Sequence, residues 1–197
     1  MNKLITGSLG FLASHLQKHL NAYSYNSKVQ EINLDYNLIG ISEIWHFASP
    51  SEDIEFSDDA NTYNSIVIGT ANIISWCKQN NIKLIYASSM AADLPEEEIC
   101  NYGRYKKIAE NMIQNSDIDY CILKIPRVYG ADRKKGLMKK IHLNSIPTED
   151  MNCIIQYLDI NDFIEQTLNN TDTKIYYYNN LKCNTIQEIK EIYHLGE

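Results

Sequence analysis

The 197 residues contain no apolar run that approaches a bilayer span, no C-x-x-C pair and no histidine at ligand spacing from a cysteine. A membrane-spanning helix and a zinc site of the usual kind are therefore not expected. The five cysteines, Cys77, Cys100, Cys121, Cys153 and Cys183, are odd in number and widely spread, which predicts reduced thiols and a cytoplasmic chain. No signal peptide is expected either, because the first residues run directly into a strand pattern. Positive charge is in deficit, with 18 Lys and Arg against 25 Asp and Glu and a net charge of −7. Nucleic acid and anionic membrane surfaces would not attract such a chain over long range. One local exception, "RKKGLMKK" at 133–140, reads either as a solvated helix face or as a basic patch. Internal repeats and low-complexity linkers are also missing. With 44% apolar and 22% charged residues, the composition is that of one folded domain, or one domain with a small appendage.

What is present alternates. Lys3 to Ile5 is a short apolar strand, and Leu9, Leu12, Ala13, Leu16 and Leu20 follow at helical spacing, to about Asn21. "EIWHFAS" (43–49) and "IKLIYASS" (82–89) are compact apolar runs ending in small residues, as buried parallel strands do. Between them the spacing predicts a helix from about Asn61 to Gln79. A second helix from about Gly103 to Gln114 leads into the strand "DYCILKIP" (119–126), closed by Pro126. Beyond Gly130 the texture is more polar, with a short helix in "KKGLMKKIHL", a strand near "CIIQYL" and a helix in "DINDFIEQTL". A last helix opens on Thr185 with Glu188 three residues later, a capping box. Strands alternating with helices predict an α/β doubly wound parallel sheet.

Two stretches carry chemistry. In the turn Thr6-Gly7-Ser8-Leu9-Gly10, the glycines permit positive φ and close backbone approach, so that the following amides can face a pyrophosphate. A third glycine is missing, and Ala13 stands in its place. In "NYGRYKK", Tyr102 and Lys106 are four apart on one helix face, where an ammonium beside a phenol favours the phenolate and suits general base catalysis. Ser88 and Ser89 end the preceding strand, at the edge where α/β sheets bind ligands. The histidines His15, His19, His46, His142 and His194 form no constellation, and His46 reads as a core residue.

With "WHFASPS" (45–51), "NSIVIGTANII" (64–74), "IKLIYASSM", "YGRYKKIAENMI" and "KIPRVYG" (124–130) following "TGSLGFLASHL" in order, the chain resembles the extended short-chain dehydrogenases/reductases. Within them it is similar to the NAD-dependent epimerase/dehydratase family that acts on nucleotide sugars. The resemblance spans most of residues 1–130, with a weak match at "YLDINDF" (157–163). It implies a Rossmann-type NAD(P)-binding domain at 1–130 and a small substrate lobe at 131–197, interleaved with that domain. It further implies NAD, with NADP not excluded, held by Gly7, Gly10, Phe11, Leu12, Ala48, Ser49, Pro126 and Lys106. Asp35 or Glu31 would bind the adenosine ribose, Asp35 by its place at a strand end and Glu31 by a spacing of about 20 residues. Tyr102 is implied as the acid/base, Ser89 as the group polarising the same oxygen, and Ser49, Ser89, Arg127 and Arg133 as contacts to a nucleoside-diphosphate sugar. A homodimer through the helices at 61–79 and 103–114 is implied as well.

The sequence also departs from that family. From Gly10 to His46 there is room for only one further strand, expected at Val29 to Leu34, so a βα unit is missing. Only twelve residues separate Ser89 from Tyr102, and the tail after Gly130 is short, so the substrate lobe is reduced. Where relatives carry a carboxylate after the catalytic hydroxyl, this chain has Met90-Ala91, which leaves elimination or decarboxylation without an agent. Epimerisation or simple oxidoreduction is the function expected, with a reductase or decarboxylase as the alternative. A cofactor-binding subunit without turnover is the alternative of another class.

Overall fold

The computed structural model describes residues 2–25, 40–50 and 59–193. Strand β1 (Asn2–Thr6) enters the glycine turn and continues into helix α1 (Phe11–Gln17). The helix is shorter than its apolar spacing predicts, because its last amides turn back to carbonyls three residues earlier, Lys18 to His15 and His19 to Leu16. Strand β2 (Ala22–Tyr25) follows at once and pairs parallel with β1. The strand expected at Val29 to Leu34 lies outside the described residues, and Ala22–Tyr25, which was not expected as a strand, pairs beside β1. The miss has a physical cause. "AYSY" buries only Tyr25, with Tyr23 60% exposed, so no apolar run marked it.

Strand β3 (Ile41–His46) precedes a long helix, α2, which is α-helical over Asp59–Tyr63, π-helical over Asn64–Ile68 and α-helical again over Gly69–Asn80. Asn81 ends it in the left-handed region at φ 53°, which asparagine tolerates. Strand β4 (Lys83–Ser89), a 3₁₀ turn (Met90–Asp93), helix α3 (Asn101–Gln114) and strand β5 (Tyr120–Ile125) follow. Together with β8 (Ile175–Tyr177) these strands form a six-stranded parallel sheet in the order β2-β1-β3-β4-β5-β8.

Alternate residues of each strand serve opposite faces. Ile5, Trp45, Ile85 and Leu123 pack with Ala13 and Leu16 of α1, and with Phe163 and Ile164 of α5 (Ile160–Asn169). Their neighbours Leu4, Ile44, Leu84 and Ile122 pack with Ile66, Ile73 and Trp76 of α2 and Ala109 and Ile113 of α3. Helices thus cover both faces of the sheet, a doubly wound Rossmann-like α/β fold.

After β5 the chain builds a second, three-stranded sheet in the order β6-β7-β9 from β6 (Val128–Tyr129), β7 (Ile154–Asp159) and β9 (Lys182–Thr185). Tyr129 and Tyr157 of this sheet share a small apolar cluster with Met138 and Ile141 of α4 (Gly136–His142) and Ile186 and Ile189 of α6 (Ile186–Ile192). The capping box is formed, with Glu188 N donating to Thr185 Oγ1 at 3.1 Å and Thr185 N donating to Glu188 Oε2 at 2.8 Å.

The carboxyl ends of β1 and β3 are tied through one hydroxyl. Thr6 Oγ1 accepts from the amides of Phe47 and Ala48, each at 3.2 Å, so its own hydrogen goes to His46 Nδ1 at 2.7 Å. The imidazole is therefore neutral, with its proton on Nε2. Burial, and then the Lys106 charge, push its pKa down to about 3.

Between pH 6.5 and 3 the unfolded chain binds a proton at His46 that the fold refuses, so stability must fall as pH drops through that window. The slope from this group approaches about 1.4 kcal/mol per pH unit. Urea denaturation at a series of pH values should show a shallower acid limb for His46→Asn, whereas equal limbs would mean that the ring charges inside the fold.

Candidate active site

The chain after β3 is pressed onto the turn after β1. Gly7 has φ +67°, and a Cβ there would lie 2.7 Å from the Ala48 nitrogen and 2.8 Å from its Cα. Only glycine allows this approach. Gly10 N donates to Gly7 O at 2.8 Å, closing the turn so that α1 begins at Phe11, and Ser14 N makes a helical bond to Gly10 O at 2.9 Å. Ala13, where a third glycine was missed, is 1% exposed and belongs to the core beneath the sheet, so its methyl is part of the packing. The Phe11 ring meets His15 edge to face, with centroids 5.1 Å apart, and lies under the Arg133 guanidinium at 5.2 Å. His15 in turn pairs with Asp132 at 2.8 Å. A turn this tight, followed by Ala48 and Ser49, is a cradle that a dinucleotide pyrophosphate fits and that a Cβ would fill.

At the carboxyl end of β4, Ser89 caps the 3₁₀ turn, accepting from Ala91 N at 3.1 Å. The Tyr102 phenol lies close enough to the hydroxyls of Ser89 and Ser49 for both to draw its pKa down, so the ends of β4 and β3 come together at α3. Gly103 lets the helix come this close: a Cβ there would stand 2.5 Å from the Ala91 carbonyl oxygen. One turn further on, Lys106 is 3% exposed and donates to Ala87 O at 2.7 Å, with its ammonium 4.9 Å from the Tyr86 ring and 5.7 Å from the Tyr102 ring.

The electrostatics differ from the simple expectation of a phenol activated by its neighbouring lysine. Burial pushes the Tyr102 pKa up to about 12, against the pull of the nearby Ser49 and Ser89 hydroxyls and of Arg133. Burial also pushes Lys106 down to about 7, opposed by the Glu110 charge. At neutral pH the phenol keeps its proton, and Arg133 is the cation that acts on it. Arg133 also donates to Val128 O at 2.9 Å.

Gly7, Gly10, Phe11, Ala48, Ser49, Ser89, Tyr102, Lys106 and Arg133 thus converge where β1, β3 and β4 end. Leu12 turns partly inward to the core, and Pro126 directly follows β5. Arg127 is exposed and acts on Tyr129, not on Tyr102. Asp35 and Glu31 lie outside the described residues. No cluster able to hold a metal ion occurs among the described residues, and no helix among them is long and apolar enough to cross a membrane. Thr6, Glu110 and Lys124 were missed as supports of the site. Tyr102, Lys106 and Glu110 at successive four-residue steps, and a lysine inside the apolar run "CILKIP", were the signals that could have found two of them.

The fold is a doubly wound Rossmann-like sheet, with the glycine turn, Ser89, Tyr102 and Lys106 gathered at its carboxyl edge. Residues 36–148, more than half of the 197, match the NAD dependent epimerase/dehydratase family, and the chain belongs to that family. The match includes Ser89, Tyr102 and Lys106 and begins after the glycine turn. No curated protein matches the sequence significantly. Solved structures share the fold, among them the dTDP-4-dehydrorhamnose reductase of Bacillus anthracis in complex with NADP, at 21% identity and TM-score 0.78 over 98% of this chain and 79% of that one. The UDP-glucuronic acid 4-epimerase of Bacillus cereus in complex with NAD has 19% identity and TM-score 0.76 over 98% and 83%. The Bordetella bronchiseptica enzyme WbmG in complex with NAD and UDP has 16% identity and TM-score 0.74 over 97% and 76%.

Gly7→Ala combines a left-handed φ with a collision against backbone, and should lower the unfolding free energy by about 2 kcal/mol or more. Urea denaturation followed by circular dichroism measures this; wild-type stability in that variant would show that the turn relaxes without loss.

Proposed function

We propose that the chain is an NAD-dependent enzyme that interconverts a carbinol and a ketone on a nucleoside-diphosphate sugar, with epimerisation the favoured outcome. The observation that carries this reading is the meeting of two hydroxyls, a phenol and a buried ammonium at one point on the carboxyl edge of the sheet. Gly7, Gly10, Phe11, Leu12, Ala48, Ser49 and Pro126 would hold the dinucleotide, Lys106 its nicotinamide ribose and Asp35 its adenosine ribose. When bound, the nicotinamide supplies the two-electron oxidation and reduction. Tyr102 gives a proton to, or takes one from, the sugar oxygen, and Ser89 orients that oxygen by a hydrogen bond. Ser49 lies near the same phenol, and Arg133 offers a cation to substrate phosphate while keeping its backbone anchor.

Met90 and Ala91 follow Ser89 directly, and the carboxylate of that turn, Asp93, is already paired with Lys124. No free carboxylate among these residues supports elimination or decarboxylation. A second reading within the family is a reductase, favoured by the protonated state of Tyr102: a phenol held up to about 12 is poised to give its proton to a ketone. Consumption of NADH with a 4-keto sugar nucleotide, as against interconversion of two sugar nucleotides without net NADH change, separates the two.

A homodimer through α2 and α3 is proposed with it. The outward faces of these helices expose Tyr63, Ile68 and Ile108, while Asp59 of α2 accepts from Asn101 and Tyr105 of α3 and holds the pair together. Five free thiols suit a reducing, cytoplasmic setting.

Tyr102→Phe should lower turnover by about 100-fold to 10,000-fold while dinucleotide affinity stays nearly constant. Stopped assays on a panel of UDP-, GDP- and dTDP-sugars, beside calorimetric titration with NAD, give both quantities; full activity in the variant would overturn the assignment. Sedimentation at micromolar concentration should show a dimer that Ile108→Lys dissociates, and a wild-type monomer would overturn that part.

A further inference from the structure

Below the Tyr102 and Lys106 pair, the third residue of the same helix face carries a charge into the interior. Glu110 is 4% exposed and lies between two strands. One carboxylate oxygen accepts from Ser88 Oγ, and the other pairs with Lys124 Nζ at 2.7 Å. Ser88 and Lys124 stand directly opposite each other in the register of β4 and β5, and they are 3% and 2% exposed. Lys124 continues outward to Asp93 in the 3₁₀ turn, and Asp93 accepts from Tyr177 Oη of β8 at 3.2 Å. The chain of contacts therefore links α3, β4, β5, the turn after β4 and β8 at one level of the sheet.

We propose that Glu110 is a positioning residue of this site: by bridging Ser88 and Lys124 from α3, it fixes the height at which Lys106 and Tyr102 meet the end of β4. The inference rests on the role given above to Lys106 and Tyr102. Three successive contacts of α3, one with the turn after β4 and two with β4 itself, set the register: Gly103 against the Ala91 carbonyl, Lys106 on Ala87 O and Glu110 on Ser88. Lys106 and Glu110 thereby grip consecutive residues, and Ser89 is the next in the strand.

Glu110 has an electrostatic consequence as well. The groups facing Lys106 are Tyr102 and Glu110 on α3, Tyr86 on β4 and His46 on β3, and α2 contributes only the uncharged Thr70 to Tyr86. Glu110 itself faces Ser88, Lys124, Tyr86 and Tyr177. His46 is neutral and the phenols keep their protons, so Glu110 is the negative charge that holds the Lys106 proton against burial.

Lysine labelled with carbon-13 at Cε reports this directly by NMR in the full-length protein, with Lys106→Met identifying the resonance. In Glu110→Gln, which keeps the shape of the side chain, the Lys106 midpoint should fall from about 7 by about one unit or more. Glu110→Asp, which keeps the charge, should restore much of the wild-type midpoint. Where Glu110→Gln fails to fold, the double variant Glu110→Leu/Lys124→Met replaces the buried pair by apolar side chains of similar size and, because it removes a neighbouring cation as well, should show a smaller fall in the same direction. An unchanged Lys106 midpoint in either variant overturns the proposal. The measurement needs no substrate, so a protein that converts no sugar nucleotide would sink the function proposed above and leave this test standing. In a protein that does turn over, the acid limb of the kcat profile should move with the Lys106 midpoint while KM stays constant.

Discussion

Among the described residues two lysine ammonium groups are buried, Lys106 and Lys124, each at most 3% exposed, and much of the architecture at the carboxyl edge of the sheet follows from satisfying them. A buried charge left without partners would destabilise the fold by several kcal/mol or lose its proton. Lys124 solves the problem with two carboxylates, Glu110 and Asp93, and its pKa is raised despite burial. Lys106 has a backbone carbonyl and a carboxylate at one remove, and its pKa is lowered. The contrast lies in the partners: Lys124 meets two carboxylates, while Lys106 meets one backbone carbonyl and lies beside the phenol.

On the opposite side of the same edge the controlling group is uncharged. The Thr6 hydroxyl uses both lone pairs and its single hydrogen, and so fixes the start of the segment that carries Ala48 and Ser49. Gly7 then allows that segment to lie against the turn. The same segment brings the Ser49 hydroxyl near the phenol of α3, where it draws the Tyr102 pKa down. The glycine turn after β1 and the segment after β3 are mechanically one unit.

Much of this was legible in the sequence, because strong apolar periodicity marks the central strands and the helices that cover them. "IKLIYASS" predicted β4 to within a residue, and the Thr185 and Glu188 spacing predicted the cap of α6. The spacing of Tyr102 and Lys106 put both on one face of α3, as found. What escaped was marked by polarity or by distance along the chain. β2 is a half-exposed edge strand whose alternation of tyrosine, serine and alanine resembles a loop. The Glu110 and Lys124 pair joins elements whose pairing only the register of β4 and β5 reveals. The protonation of Tyr102 depends on how deeply α3 is set, a quantity that spacing does not contain.

The strand order also has a consequence for how the molecule is made. β8 completes the main sheet beside β5, yet the chain reaches it only after building β6, α4 and β7 of the second sheet and returning through α5. During synthesis the edge of β5 therefore stays open while the ribosome delivers an entire excursion. That edge includes Lys124, paired in the finished sheet with Tyr177. A lysine near the carboxyl end of a largely apolar strand is the kind of residue by which natural sheets discourage edge-to-edge association. The same lysine that organises the finished interior acts as a gatekeeper for the unfinished one.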